Sequence, residues 1–528
     1  MAPNSAARLR NAFADSPNGI WAAVRLLGFA LVLRFPFFFE AVIDWDESTF
    51  ILMGQSLLAG DLPYTNLWAL KPPLTVASFA LFIAVLGQSI VGIRLAGTLC
   101  VAATAWLSYD ITQRHWGQRA GILAGGFCTL LRSLLPGGQS TMTETVAVLP
   151  LMVAISLLTR STTVPLGRTF WISGWLAIAA LIRLNLLYVS VAVGILLLAL
   201  ALRQQQSVQG LLAKVIAFCL GHWLVLGLTW LPYGLQGLSS LWWRSVVQAP
   251  LAYANTRSSM GQALVQQGLG LVAIHHNLTG LLGLCIWGGA IATSGYGLMR
   301  WRQLSPHQRH TLTALWVVTG ATTLSILRSG ATHGHYLIQL APWVSVLAAW
   351  GWSELWQHRR LRLMGMVAIS TAVTLSISAL TAGAYGTLAG RLIAGRGLAS
   401  GPAHGVAAYL TEHAQPEDTA YLLVDHIAYW LTDTHPLTPC TTHPSNLTKP
   451  ELLPYCSGEA MATPESELTK VLALQPRFIV TLRQPPWYFQ GYDNLAQQLD
   501  QALTQDYASV EEIADRVIYQ RRTPAPVS

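Results

Sequence analysis

Apolar stretches recur along the chain from residue 20 to about 385, separated by short polar segments. Most are close to the twenty or so residues that a helix needs to cross a hydrocarbon core roughly 30 Å thick. The pattern predicts spans at 20–40, 91–113, 119–136, 145–160, 169–183, 184–202, 211–233, 277–299, 311–329, 335–356 and 361–385. One more apolar segment, PPLTVASFALFIAVLG at 72–87, is shorter. It is expected to lie in or dip into the outer leaflet, because a span there would break the alternation of loop charge. Beyond about residue 400 the pattern changes. TAYLLV at 419–424 and RFIVTL at 477–482 read as strands, and RVIYQRR near the end reads as a charged edge strand. Helices are expected at 403–414, 463–474 and 493–505, the second starting at Thr463 or Pro464. The expected fold is mainly α: a polytopic membrane helix bundle at 1–390 with its first outer loop at 41–90, then a small extracytoplasmic α/β domain at 400–528.

Composition supports the same solvent. Hydrophobic residues make up 52% of the 528 and charged residues 11%, against about a quarter charged in soluble domains. The net charge of +8 would suggest nucleic acid in a soluble protein. Here it collects in alternate loops, at Arg8, Arg10, Arg114, Arg119, Arg160, Arg168, Arg203, Lys214, Arg300, Arg302, Arg309, Arg359, Arg360 and Arg362. Those loops are cytoplasmic by the positive-inside rule, and no nucleic-acid partner is expected. The expected location is a plasma (inner) membrane crossed many times. Residues 41–90, 137–144, 234–276, 330–334 and the whole tail then face the periplasm or exterior. The first apolar stretch ends in charge rather than small residues, so it is expected to remain as a span. Cys100, Cys128, Cys219 and Cys285 fall within spans, while Cys440 and Cys456 are the pair in the tail. That pair forms a disulfide in an oxidising compartment or stays as two free thiols.

Acids, bases and aromatics gather on the outer side. Asp44, Asp46 and Glu47 follow the first span; GDLPYTNLWALKPPL adds Tyr64, Trp68 and Lys71. Later outer segments contribute Arg132, Glu144, Arg183 and Asn185, then Trp242, Trp243, Arg244, Tyr253 and Arg257, then Arg328, His333, His335 and Tyr336. Each has a plain structural reading: an interfacial Trp with solvated acids, a snorkelling lysine, an aromatic belt. Polar groups beside lipid are costly and commonly functional, and their concentration on one face implies a site opening outward. His426, His435 and His443 in the tail read as surface residues, and no phosphate loop is present there. Asn277-Leu278-Thr279 and Asn446-Leu447-Thr448 match the three-residue N-glycan acceptor pattern.

The acidic pair after the first span, the G-D-x-P-Y turn and the K-P-P-L run together resemble the first outer loop of the GT-C membrane glycosyltransferases. The nearest likeness is to the protein O-mannosyltransferase and lipid A aminoarabinose transferase branch (families 39 and 83). The likeness continues through GQSIVGIRLAG, the Thr143-Glu144 turn, the Arg183 turn and HYLIQLAPW, over roughly 20–360. It implies a bundle of about 11–13 membrane helices and a polyprenyl-phosphate donor carrying one sugar. Transfer would go to a hydroxyl of a lipid, glycan or protein acceptor, outside the cytoplasm and with inversion. By motif the base falls on Asp46, with Glu47 adjacent and Asp44 a solvated neighbour. Like charge and the lipid boundary should raise the pKa of Asp46 or of Glu47.

Lys71, Arg183, Arg132, Arg94 and Arg328 are the candidates for the donor phosphate, since guanidinium forks match phosphate oxygens. Tyr64, Glu144, Asn185, His333, His335, Tyr336 and Arg244 are the candidates for the rest of the substrates, Glu144 either binding sugar hydroxyls or orienting Arg132. The helix in 72–87 is expected to wall the prenyl chain. Lys71 stands where the O-mannosyltransferases carry His, and MIR-like repeats are missing, which favours the bacterial branch. A single acid beside cationic residues favours a metal-free mechanism assisted by Lys and Arg, with a divalent cation as the cofactor left open. The weaker alternative is a divalent cation between Asp46 and Glu144, as in oligosaccharyltransferases, although no D-x-D surrounds Glu144. Two other classes stay open: an O-antigen ligase or polymerase type of enzyme, and a lipid-linked-sugar transporter.

Overall fold

The computed structural model describes residues 17–255, 259, 261–262, 264–265, 280–328, 333–356 and 359–522. Arg8, Arg10, Arg257 and Asn277 lie outside them. The membrane part is built from helices α1 (Pro17–Arg34), α2 (Trp45–Leu58), α3 (Pro73–Leu86), α4 (Ile90–Leu134), α5 (Thr143–Thr159), α6 (Leu166–Ile182), α7 (Leu187–Arg203) and α8 (Val208–Leu235). It continues with α9 (Gly289–Met299), α10 (Pro306–Arg328), α11 (Ala341–Leu355) and α12 (Arg359–Ile377). Among the described residues, five helical stretches are long and apolar enough to cross a membrane: Gly19–Phe39, Ile90–Leu134, Leu184–Arg203, Val208–Leu235 and Pro306–Arg328. Shorter apolar helices pack between them. α4 is two rods rather than one, because Gly117 takes φ +87°, a left-handed conformation open to glycine at little cost. The break falls between the two spans expected at 91–113 and 119–136.

Packing follows close approach as much as apolarity. α6 lies along α8, and Gly221 makes this possible: a Cβ there would stand 2.5 Å from the Phe170 carbonyl oxygen. α8 is otherwise exposed along most of its apolar length, as suits a helix facing lipid. α11 is buried against α4 and forms the centre of the main core with Trp343, Val346 and Trp350. α3 is a 14-residue helix packed on α2, α4 and α6.

The tail carries a four-stranded sheet in the order β1 (Ala420–Leu422), β2 (Phe478–Leu482), β4 (Arg516–Arg521), β3 (Tyr507–Ile513). β1 and β2 are parallel, and the rest is antiparallel. RVIYQRR is therefore an inner strand, not an edge. The edge is β3, whose YASVEEI pattern was not expected as a strand; it forms a hairpin with β4 through Ala514 at φ +58°. Side chains alternate along strands. Ala420, Leu422, Phe478, Val480 and Ile518 face a core shared with the first outer loop and α13 (Pro402–His413). Tyr421, Leu423 and Ile479 face α14 (Pro464–Ala473) and α15 (Asp493–Asp506). Burial on both faces accounts for the unbroken apolar run TAYLLV. Thr463 caps α14, accepting from the Ser466 amide in a reciprocal capping box. Cys440 and Cys456 are joined by a disulfide.

Candidate active site

The acids at 44–47 form a helix start. Asp44 is the N-cap of α2 and its Oδ1 accepts from the Asp46 amide at 3.0 Å. Asp46 and Glu47 then occupy the first turn, where the helix dipole favours anions. Adjacent helical residues diverge by about 100°, so the two acids go to different places. Glu47 turns inward, is 2.5 Å from Arg94 Nη2 and accepts from the Thr141 amide. Asp46 turns to the cavity. Lys71 is brought there by Pro72, which holds an extended backbone, and Pro73, which opens α3 at a position suited to proline. Its Nζ donates to Asp46 Oδ2 at 3.1 Å.

A second ionic group stands beside the first. Arg183 ends α6 in an extended conformation (φ −147°, ψ 104°). Its Nη1 lies 2.8 Å from Glu144 Oε1 and donates to Thr143 Oγ1 at 2.8 Å, and its guanidinium sits 4.3 Å above the Tyr336 ring. His335 stands between the acids, with Nε2 3.4 Å from Glu144 and Nδ1 3.9 Å from Asp44. His443, from the tail, places Nε2 3.3 Å from Asp46 Oδ1. Burial alone would raise the Asp46 carboxyl, but the Lys71 ammonium and His443 overcome it and hold it well below the usual carboxylate range. The group pushed up is Asp44, to about 7, by burial and then by the charge of Asp46. Burial lowers His335 and His443 despite the neighbouring acids, so both favour the neutral form.

Asp44, Asp46, Lys71, Arg183, His335 and His443 line one end of a cavity of about 2440 Å³, whereas Glu144, a candidate for substrate contact by sequence, is buried and outside its lining. Asn185, Arg328, His333 and Tyr336 also line it, Asn185 donating to Ser325 Oγ and Gln339 Oε1 at 2.9 and 3.0 Å. His333 stacks on His335. The other end is apolar. Leu187, Val191 and Ile195 of α7 face it, with Trp223, Leu226 and Trp230 of α8. The tail closes a further side with Asn446, Lys449, Trp487 and Arg516.

Several sequence-based expectations are corrected. Arg94 is buried against Glu47 and donates to the Phe37 carbonyl; Arg132 is buried and donates to the Thr145 carbonyl. Neither lines the cavity; both brace the framework beneath it, and Glu47 is part of that brace. Glu144 pairs with Arg183 rather than orienting Arg132. Tyr64 is buried under the loop and donates to the Lys71 carbonyl, steadying the lysine without reaching the cavity. Arg244 points to the exterior and is absent from the lining. Asp44 is a helix cap facing the cavity, not a solvated bystander. α3 contributes none of the apolar wall, which α6, α7 and α8 supply. His426 and His443 are not surface groups, although His435 is exposed. Among the described residues no three His, Cys, Asp or Glu side chains converge as a metal site needs. Asp46 and Glu144 each already face a cationic side chain, so this donor set does not fit a divalent cation.

A family model described as dolichyl-phosphate-mannose-protein mannosyltransferase matches residues 70–229, the stretch from before Lys71 through Glu144 and Arg183 to the start of the apolar wall on α8. No curated protein sequence gives a significant match. ArnT from Cupriavidus metallidurans bound to undecaprenyl phosphate superposes with a TM-score of 0.58 at 13% identity, covering 96% of this chain and 98% of that one. Its apo form gives 0.58 at 14%, covering 94% and 97%. The apo oligosaccharyltransferase of Archaeoglobus fulgidus gives 0.50 at 11%, covering 88% and 69%. The chain has the GT-C fold and is a multi-pass membrane protein.

Proposed function

We propose that this protein is a membrane glycosyltransferase that moves one sugar from a polyprenyl-phosphate donor to an acceptor hydroxyl. The observation that carries the reading is the cavity's polarity. An ionisable end holding Asp46, Lys71 and Arg183 continues into an apolar wall on helices that face lipid. A donor with a lipid chain and a phosphate head matches that division. The prenyl chain lies along Leu187, Val191, Ile195 and Trp230, and the phosphate meets Lys71 and Arg183, with Arg328 at the rim. Lys71 uses one of its three N–H donors on Asp46 and has two left for phosphate oxygens. The catalytic side is the outer one, as the loop charges imply.

In the transfer step Asp46 takes the proton of the acceptor hydroxyl as its oxygen attacks the anomeric carbon. The carbon–oxygen bond to phosphate breaks, and polyprenyl phosphate leaves with both electrons of that bond. The sugar inverts. Because Lys71 and His443 hold Asp46 ionised, the base is ready at neutral pH. Its weak basicity is tolerable because a sugar phosphate is already activated. Asn185, His335 and Tyr336 are placed to contact the sugar. The test follows loss of label from a panel of radiolabelled polyprenyl-phosphate sugars, in nanodiscs with a membrane-lipid extract. Wild type should turn over one donor, and Asp46→Asn should be slower by about 10²- to 10⁴-fold, the usual scale of general-base catalysis. Equal rates in both would remove Asp46 from the mechanism.

A further inference from the structure

We propose that His443, supplied by the tail, is a positioning residue for Asp46. It fixes the carboxylate through Oδ1 while Lys71 fixes it through Oδ2, so the base is assembled only when the tail is docked. This rests on the glycosyl-transfer reading above for its kinetic consequences, but its geometry is independent of it.

The tautomer follows from the backbone. The Ser445 amide, 3.2 Å from His443 Nδ1, can only donate, so Nδ1 must present its lone pair. A neutral imidazole then carries its proton on Nε2, the nitrogen 3.3 Å from Asp46 Oδ1. The arrangement extends one step further. Lys449 Nζ donates to Ser445 Oγ at 2.9 Å, and that oxygen is 2.9 Å from Nδ1, so with Nδ1 unprotonated its hydroxyl shares the one Nδ1 lone pair with the Ser445 amide. Lys449, Ser445, His443 and Asp46 thus form a chain of donors ending on the base. The loop that carries it is closed by the Cys440–Cys456 disulfide.

A second histidine docks the same helix. His426 Nε2 is 2.9 Å from Thr49 Oγ1, three residues after Asp46 and on the same face of α2. The rings of His426 and His443 lie 5.6 Å apart. The tail therefore grips α2 at two neighbouring points, one structural and one on the carboxylate.

The charged and titratable groups around the pair are Lys71, Asp44 and His335 near Asp46, and Lys449, Lys71 and His426 near His443. Removing the His443 donor leaves Lys71 in place but withdraws one hydrogen bond from the ionised carboxylate, so Asp46 becomes easier to protonate. The acid limb of kcat/KM against pH must then move to higher pH.

The experiment compares wild type, His443→Ala and His443→Gln in nanodiscs with the labelled donor. His443→Ala should lower kcat by about tenfold to a hundredfold, the scale of one charge-assisted hydrogen bond, with donor KM within about twofold. Its acid limb should shift upward, and His443→Gln, whose amide can still donate, should restore much of both. A loss of kcat with an unmoved acid limb and no recovery in His443→Gln would overturn the assignment and leave only a packing role. A second arm needs no turnover. The ¹⁵N-histidine spectrum of the full chain should show His443 protonated on Nε2 alone, with that resonance displaced in Asp46→Asn. Protonation on Nδ1, or indifference to Asp46→Asn, would sink the proposal even in an active enzyme. If this arm succeeds while no donor is consumed, the glycosyl-transfer reading fails separately.

Discussion

The two neighbouring acids of the first loop differ because a helix turns about 100° between them. Glu47 is committed to Arg94 in the interior, and breaking one partner of a buried pair is costly. Glu47→Gln should therefore lower stability by about 3–5 kcal/mol, seen as an earlier thermal transition, while the folded fraction keeps its turnover. A stable but inactive variant would instead return Glu47 to the chemistry. Asp44 makes a different prediction. With its carboxyl pushed up to about 7 by burial and by Asp46, it is neutral below that pH and ionised above it. Ionisation adds negative charge at the end of the cavity proposed to hold the donor phosphate, so donor KM should rise as pH increases through about 7. Asp44→Asn preserves the helix cap and should abolish that rise; a rise persisting in the variant would assign it to another group.

At the scale of elements, the apolar end of the cavity, where the proposed donor's lipid chain lies, is a face shared between two helices. Leu187, Val191 and Ile195 recur every four residues on α7, opposite Trp223 and Trp230 on α8, the spacing that keeps side chains on one helical face. Sequence pattern marks such residues as apolar without saying whether lipid, protein or substrate covers them. Val191→Asn should raise the KM for a long-chain donor by about tenfold or more, given the worth of burying one such side chain. A donor analogue with a short chain should be unaffected. Equal effects on both donors would place the lipid elsewhere. The helix at 73–86 shows the reverse case: apolar enough to suggest a lipid wall, it is used to pack α2 against α4 and α6.

At the scale of the whole molecule, tail and first loop share one core, with Trp68 donating to Thr442 across the junction. The disulfide closes a loop of 16 residues around His443, a constraint of about 3 kcal/mol on the chain-entropy account. Replacing both cysteines by serine should lower turnover while leaving the thermal transition of the membrane bundle in place. Unchanged turnover would show that the loop is held by its packing alone.

Local features sufficed for much of this. The apolar spans, the loop charges, the Pro pair after Lys71 and the strands β1, β2 and β4 are read from neighbours in sequence; the Asp44 cap and β3 are not. Propensity, periodicity and hydropathy act over a few turns of chain. What they do not carry is direction at long range. That Arg94 and Arg132 point inward, that Arg183 meets Glu144 across 39 positions, and that His443 arrives at Asp46 from nearly 400 residues away depend on how helices pack. A buried charge is stable only beside its partner, and tertiary structure alone decides which partner that is.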